Sequence, residues 1–400
     1  MPDLYIPVYP DKCEEEEEKD NYILNVHARS EILGPLNPLI KFSGLDDTYS
    51  LFKSETRKKW YSWICTPLSL IIIISFFYYA MKIFNRIQNV LSWEWAELLI
   101  LYNFALLAFF SALNLAGWTR KLFFLEFRDA CKEAGRQSKG MPVDHVRWIL
   151  IGICFALFIG STTTANSKYI MQRGHGATAN TSSDEPLLDH IVFEGEFLFS
   201  FYGAFISALA LTTYGTLHGI AAAQIDQFNQ ELAEASKKER LASGLEVFSA
   251  KHAAVVNMVR ILSKRVSFFA TFSVLTSVIA NFSAMFLSFG YRAEWSGLSH
   301  ICVVIWTILA IAIMAVTLLQ PSRLQKLLNK GVETILADKN LWRENAEIAQ
   351  LAQSMVIRVQ NSNTKVTLFN CLRLSQWSGE ALMLLPPAIG GVLLCIKWFA

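Results

Sequence analysis

Few residues of this sequence could do covalent chemistry, and none has the spacing that enzymes use. The sequence has no G-x-x-x-x-G-K-[ST] loop for phosphates, no H-E-x-x-H pair for zinc and no G-x-S-x-G turn for a serine nucleophile. His218 is the one histidine inside a strongly apolar stretch, and no acidic residue stands beside it. We therefore predict no catalytic residue, no cofactor and no enzymatic activity.

A metal site is conceivable only in the polar stretch 165–196, where His175, Asp189 and His190 occur. Their spacing fixes no coordination geometry, so we favour a solvated loop and predict no metal. The seven cysteines are scattered singly, without a C-x-x-C pair, which argues against a cysteine-based zinc site or a disulfide scaffold.

Aromatic side chains are the residues best suited to recognising a ligand, and they make up 13% of the chain. Pockets for small organic molecules are usually lined by apolar and aromatic side chains. Tyrosine and tryptophan near a membrane boundary also act as interfacial anchors, which is the alternative interpretation. The aromatic residues that we predict to bind a ligand, in the outer halves of apolar stretches, are Tyr79, Tyr102, Tyr202, Phe286 and Trp306.

The elements that must position these residues are long apolar stretches. Hydrophobic residues make up 53% of the chain and charged residues only 18%, against roughly 25% in soluble proteins. A helix of about 20 apolar residues spans the hydrocarbon core of a bilayer. Seven stretches qualify: 64–83, 98–118, 148–164, 197–220, 266–289, 301–319 and 381–398. The predicted fold class is therefore all-α, a polytopic membrane protein with seven transmembrane helices.

The basic residues predict how these helices are oriented, because Lys and Arg accumulate on the cytoplasmic side. All but six of the 36 lie on one side of the predicted spans, and the exceptions are Lys82, Arg86, Lys168, Arg173, Arg292 and Lys397. This places the N-terminus in the cytoplasm and the C-terminus outside. The sequence Asn180-Thr181-Ser182 falls in an outer loop, so Asn180 is a candidate glycosylation site.

The cytoplasmic segments differ in character. Residues 1–50, with the acidic run Glu14–Glu18, are predicted to be a largely disordered tail, and residues 51–400 form the transmembrane domain. Segments 221–265 and 323–380 have apolar residues at helical spacing. We predict that helices 4–6 extend into a cytoplasmic helical bundle. An amphipathic helix lying on the membrane surface is the alternative.

This organisation resembles the inverted seven-helix chemoreceptor ion channel superfamily. That superfamily includes insect gustatory and odorant receptors, nematode gustatory-receptor-like proteins and serpentine receptor class r. The resemblance covers residues 50–400 and rests on the orientation, the cytoplasmic helical extensions and a final span that ends the chain almost at once. The closing apolar run Pro387–Ile396 is similar to that of the family, whereas the usual Thr-Tyr pair and Gln are missing. The chain is therefore similar to a divergent member.

The resemblance implies a multi-pass cell-membrane receptor for taste or smell, built as a homo- or hetero-tetramer in which each last helix lines a central cation pore. A small-molecule ligand in an outward-facing pocket would open it. Carried onto this sequence, the gate would consist of Leu393, Leu394 and Ile396. Glu380, at the inner end of the last span, would attract cations, since acidic residues at membrane entrances often do so; a solvated helix end is the alternative.

Two other classes of function stay open. A G-protein-coupled chemoreceptor would need its N-terminus outside the cell. A non-receptor membrane protein such as a transporter would usually show broken helices in two matching halves, and only Pro386-Pro387 hints at a break. The net charge of +2 gives no reason to expect a nucleic-acid partner, so the predicted partners are the lipid bilayer, a small molecule and further subunits.

Overall fold

The computed structural model describes residues 24–46, 55–87, 90–120, 122–135, 187–291, 297–343, 345–362, 364–369 and 371–399. The helices before the first long gap are α1 (24–33), α2 (Leu36–Phe42), α3 (Glu55–Phe84), α4 (Trp93–Arg120) and α5 (Phe123–Ala134). The later helices are α6 (Leu187–Lys237), α7 (Leu245–Gly290), α8 (Gly297–Ala337), α9 (Lys339–Arg343), α10 (Ala346–Asn361), α11 (Gln376–Met383) and α12 (Leu385–Phe399). Strands β1 (Thr367–Leu368) and β2 (Leu372–Arg373) pair in antiparallel fashion.

Six helical segments within the described residues are long and apolar enough to cross a membrane. They are Pro67–Phe84, Trp93–Arg120, Leu198–Lys237, Leu245–Gly290, His300–Ala337 and Trp377–Trp398. Each contains most or all of a predicted span, which confirms the all-α membrane fold class. The predicted span 148–164 and the candidate glycosylation site Asn180 lie outside the described residues.

Helices α6, α7 and α8 are far longer than a bilayer is thick. They contain 51, 46 and 41 residues, so each is about 60–75 Å long against a hydrocarbon core of about 30 Å. Beyond the predicted bilayer, apolar residues of α6 and α7 such as Phe228, Leu232 and Val259 are buried in one core with Met355 of α10. The helical extensions predicted for helices 4–6 are therefore present.

Residues 24–46 differ from the disordered tail that the sequence predicts for residues 1–50. They form α1 and α2 and pack against the rest of the protein, because Ile32, Leu33, Leu36 and Ile40 supply a buried apolar face that the polar average of the tail conceals. The hydroxyl of Thr119, at the end of α4, donates to the carbonyl of Leu45 at 3.2 Å.

A buried ion pair closes this N-terminal segment. The guanidinium of Arg29 donates to both carboxylate oxygens of Asp46, at 2.9 and 2.7 Å, and its Nε donates to Asn37 at 2.7 Å. The side chains of Arg29 and Asp46 are 1% and 0% exposed. Because two ions removed from water depend on each other for solvation, this pair fixes how the segment folds back.

The connection to the last helix is not helical throughout, in contrast to the prediction for segment 323–380. The β1–β2 hairpin interrupts it and lies against α7. Just before the hairpin, Ser263 of α7 and Gln325 of α8 both donate to the carbonyl of Thr364, at 2.6 and 2.9 Å. The predicted span 381–398 is divided at Leu384. The break follows from Pro386-Pro387, since proline fits the first turn of a helix but not its interior.

Candidate functional site

A cavity lies among α3, α4, α6 and α8, and the centre of a water molecule can reach about 70 Å³ of it. One water needs roughly 10–15 Å³ by the same measure, so the space suits several waters or part of a small organic molecule. Its lining consists of Phe76, Tyr79, Leu101, Phe104, Ala105, Leu107, Ala108, Phe199, Ser200, Gly203, Ala204, Ser207, Ala208, Leu211, Leu309 and Ile313. Among the residues that the structure describes, no charged side chain lines this cavity, which favours a neutral and largely apolar ligand.

Small side chains on α6 create the space. Gly203, Ala204, Ser207 and Ala208 recur at intervals of one, three and four residues, so they share one face of the helix. At Gly203 the backbone approaches closely: a Cβ atom there would lie 3.0 Å from Ala108 and 3.1 Å from the ring of Phe76. Gly203 thus lets α6 pack closely on α3 and α4, whereas the short side chains of Ala204, Ser207 and Ala208 leave the space that forms the cavity.

The polar groups of the cavity are hydroxyls on α3 and α6. The hydroxyls of Tyr79 and Ser200 are hydrogen bonded at 3.1 Å, within two turns of the predicted outer end of α3. Ser207 follows two turns further along α6, and Leu211 marks the deep end, about 16 Å from Ser200. The cavity thus runs from near the predicted outer surface to about the middle of the bilayer.

Of the five predicted ligand residues, Tyr79 lines the cavity and two others stand behind its wall. The ring of Tyr202 stacks on Phe76 with centroids 5.7 Å apart, and its hydroxyl donates to the carbonyl of Ser43. Tyr102 packs with Tyr79 and contacts Phe84 at 5.4 Å between centroids. Gly44 has a φ of +66°, which only glycine adopts easily, and it lets the N-terminal segment approach Tyr202.

Phe286 and Trp306 lie in a separate apolar cluster between α4, α7 and α8. Trp306 is fully buried, and its indole N–H has no hydrogen-bond partner among the residues that the structure describes. Leu101 and Phe104 of α4 border both this cluster and the cavity. The predicted ligand residues therefore divide between two neighbouring sites that share one wall.

The last helix, α12, carries three of the four predicted pore residues. Leu393 and Leu394 are half-buried against the cluster of Phe286 and Trp306, whereas Ile396 is exposed. An exposed stripe with helical spacing runs along the opposite side of α12, through Leu385, Ala388, Val392 and Ile396. This stripe has no contact within the described part of the chain that buries it.

Both ends of the last helical unit are anchored. At the inner end, Gly379 lies directly against the Ser322 hydroxyl of α8, and the exposed Glu380 follows it. At the outer end, the Lys397 ammonium donates to the carbonyl of Gly290 and lies 3.0 Å from the ring centroid of Tyr291. The ammonium of Lys397 is stabilised by the dipole at the C-terminus of α7 and by the face of the aromatic ring.

A family model described as "Caenorhabditis protein of unknown function, DUF267" matches residues 32–390. The chain belongs to the DUF267 family. No curated protein matches its sequence.

Solved structures of the insect olfactory receptor OR5 from Machilis hrabei share the fold of this DUF267 protein. The structure in complex with eugenol has 13% sequence identity and a TM-score of 0.65, and a second structure of the same receptor has 11% and 0.66. Each comparison covers 94% of this chain and 100% of the receptor chain. The DUF267 chain thus has the olfactory-receptor fold, in agreement with the resemblance found in its sequence.

Most residues that line the cavity of the DUF267 protein could not be predicted from the sequence. Phe76, Phe104 and Phe199 do not differ in the sequence from other aromatic residues of the spans, and the small residues of α6 could equally serve helix packing. The recurrence of these small residues on α6, opposite bulky aromatic residues, is the signal that could have indicated a cavity. Within the described residues no group of three or more metal-ligating side chains occurs.

Proposed function

We propose that this DUF267 protein is a chemosensory receptor of the cell membrane, and that it is a cation channel opened by a small organic ligand. The ligand binds in the cavity of α3, α4, α6 and α8. Two features support the proposal, namely the olfactory-receptor fold and a neutral, aromatic-lined cavity that reaches towards the predicted outer surface.

One observation carries the mechanism: a packed layer of side chains from α4, α7 and α8 connects the cavity with the last helix. Leu101 and Phe104 border the cavity on one side and the Phe286–Trp306 cluster on the other, and Leu393 and Leu394 pack on that cluster. A ligand that prefers one arrangement of this layer would shift the position of α12. The shift is limited by the difference in the affinity of the ligand for the two arrangements.

The exposed stripe of α12 supplies the surface that would face a pore. Four copies around an axis would bring their Val392 and Ile396 side chains together, and a ring of such apolar residues can close a pore by dewetting. Glu380 would lie at the cytoplasmic mouth. In this arrangement Leu393 and Leu394, which pack on the cluster, would transmit the ligand signal to the gate. Asn180 remains a proposed glycosylation site, and a homo- or hetero-tetramer remains the proposed assembly.

Cys395 offers a direct test, because its thiol is exposed next to Ile396. We expect cells that express the full chain to conduct cations when eugenol or another small neutral aromatic molecule is added. A positively charged methanethiosulfonate applied from outside should then abolish most of this current, since only a thiol in contact with water forms the reactive thiolate. Whole-cell recording measures both effects.

The Cys395→Ser variant is the control and should conduct without being blocked. Cys131 should not interfere, because burial, with a smaller contribution from the charge of Glu31, raises the pKa of its thiol well above the usual range. A chain that reaches the cell surface but carries no current with any of these molecules would contradict the channel. A ligand response through a G protein instead would favour the metabotropic alternative.

A further inference from the structure

Helix α8 exposes one continuous face that begins inside the predicted bilayer and continues beyond it. Within the predicted span this face is apolar, and its exposed residues are Ile301, Val304, Ile308, Ile311 and Leu319. One turn further on, the same face becomes basic with Arg323, Lys326 and Lys330, all exposed. The intervals of three, four and eight residues keep all of these positions on one side of the helix.

The dimensions match one bilayer. From Ile301 to Leu319 the helix rises about 27 Å, close to the hydrocarbon thickness of about 30 Å. Arg323 lies about 6 Å beyond Leu319, and Lys330 about 10 Å beyond Arg323. The basic residues therefore begin at the depth of the inner lipid headgroups.

Helix α7 changes from apolar to basic at the same height. Ser263 on α7 and Gln325 on α8 both bind the carbonyl of Thr364, so these two positions are level. On α7 the exposed face passes from Phe268, which is 47% exposed, to Lys264 at this height. Two helices thus mark the same boundary independently.

Trp377 adds an interfacial anchor at this boundary. The hydroxyl of Ser322 donates to the carbonyl of Ser375 at 3.2 Å, which places the start of α11 beside Arg323. Trp377 follows two residues later and is 80% exposed. Tryptophan is enriched at the level of lipid headgroups, because its ring is apolar and its N–H is polar.

We infer that Arg323, Lys326 and Lys330 form a binding site for the headgroups of anionic phospholipids in the cytoplasmic leaflet. None of the three has a carboxylate within 4.0 Å in the part of the chain that the structure describes. A guanidinium and two ammonium groups supply the donors that phosphate and carboxylate oxygens accept. This lipid site adjoins α11. The inference does not depend on whether the chain conducts ions.

The test uses the purified full-length protein in nanodiscs of phosphatidylcholine with about one fifth phosphatidylserine. Native mass spectrometry after detergent release counts the lipids that stay bound. We expect the protein to retain phosphatidylserine in preference to phosphatidylcholine. The variant R323Q/K326Q/K330Q should lower that preference by about fivefold for each charge removed, since a basic residue near the surface contributes about 1 kcal/mol.

The matched control is K237Q/K238Q/R240Q, which removes three exposed charges at the α6–α7 turn, about 25 Å beyond the predicted span. It should retain phosphatidylserine as the unmodified protein does, and R323K/K326R/K330R should as well. An unchanged lipid preference in R323Q/K326Q/K330Q would overturn the inference. So would a change of assembly size in that variant in pure phosphatidylcholine, because the face would then be a contact between subunits.

Discussion

Substituting leucine for Ser207 is expected to weaken activation by the ligand by about 5- to 150-fold without unfolding the protein. Ser207 lines the cavity, of which the centre of a water molecule can reach only about 70 Å³. A leucine side chain would occupy the space that the ligand needs, and extra methylene groups in a filled site cost about 1–3 kcal/mol. The measurement is the ligand concentration that gives half-maximal current, alongside the amount of protein at the cell surface.

Two further variants separate loss of space from other effects. Ala105→Leu fills the same cavity from α4, the opposite wall, and should weaken activation similarly. Ser207→Ala keeps the space open and should change activation by less than about threefold, since the net contribution of one hydrogen bond is about 0.5 kcal/mol at the lower end of its range. Normal activation of both leucine variants would show that the ligand binds elsewhere, for instance at Phe286 and Trp306.

Arg29→Met is expected to lower the free energy of unfolding by about 3–5 kcal/mol. The substitution removes the guanidinium that binds the fully buried Asp46 carboxylate. The carbonyl of Ser43, in the same segment, accepts a hydrogen bond from the hydroxyl of Tyr202, which lies behind the cavity wall. Loss of this support should also weaken activation by the ligand. Thermal melting followed by size-exclusion chromatography measures the loss of stability.

An exposed ion pair provides the control for Arg29. Lys132 and Glu31 are 3.3 Å apart with side chains more than half exposed, so Lys132→Met should cost at most about 1 kcal/mol. The double variant Arg29→Met/Asp46→Leu should be more stable than Arg29→Met, because no unpaired charge remains buried. Equal melting of Arg29→Met and the unmodified protein would contradict the structural role of the pair.

The spans and their extensions were predictable because they depend on local sequence. A bilayer requires a run of apolar residues, and a helix that leaves it must bury a stripe at three- and four-residue spacing, as Phe228 and Leu232 do. The packed residues 24–46 were not predictable in this way. Arg29 and Asp46 are 17 residues apart, and their pairing depends on a chain reversal that no local pattern specifies.

The candidate site depends on how each helix is rotated in the bundle. Sequence gives the depth of Tyr79, Tyr202 and Trp306 in the membrane, but not which neighbours they face. The structure therefore assigns Tyr79 to the cavity and Trp306 to the adjoining cluster, although both were predicted at similar depth. The exposed stripe of α12 likewise emerges only once Leu393 and Leu394 are seen to pack inwards.

Single-particle imaging of the purified full-length protein in lipid nanodiscs tests the proposed ligand-gated channel most directly. We expect four copies around a central axis, with the α12 stripe of Leu385, Ala388, Val392 and Ile396 facing that axis. We also expect density for an added activating ligand in the cavity beside Tyr79 and Ser207. A monomeric particle, or a tetramer in which this stripe faces lipid, would contradict the proposed channel.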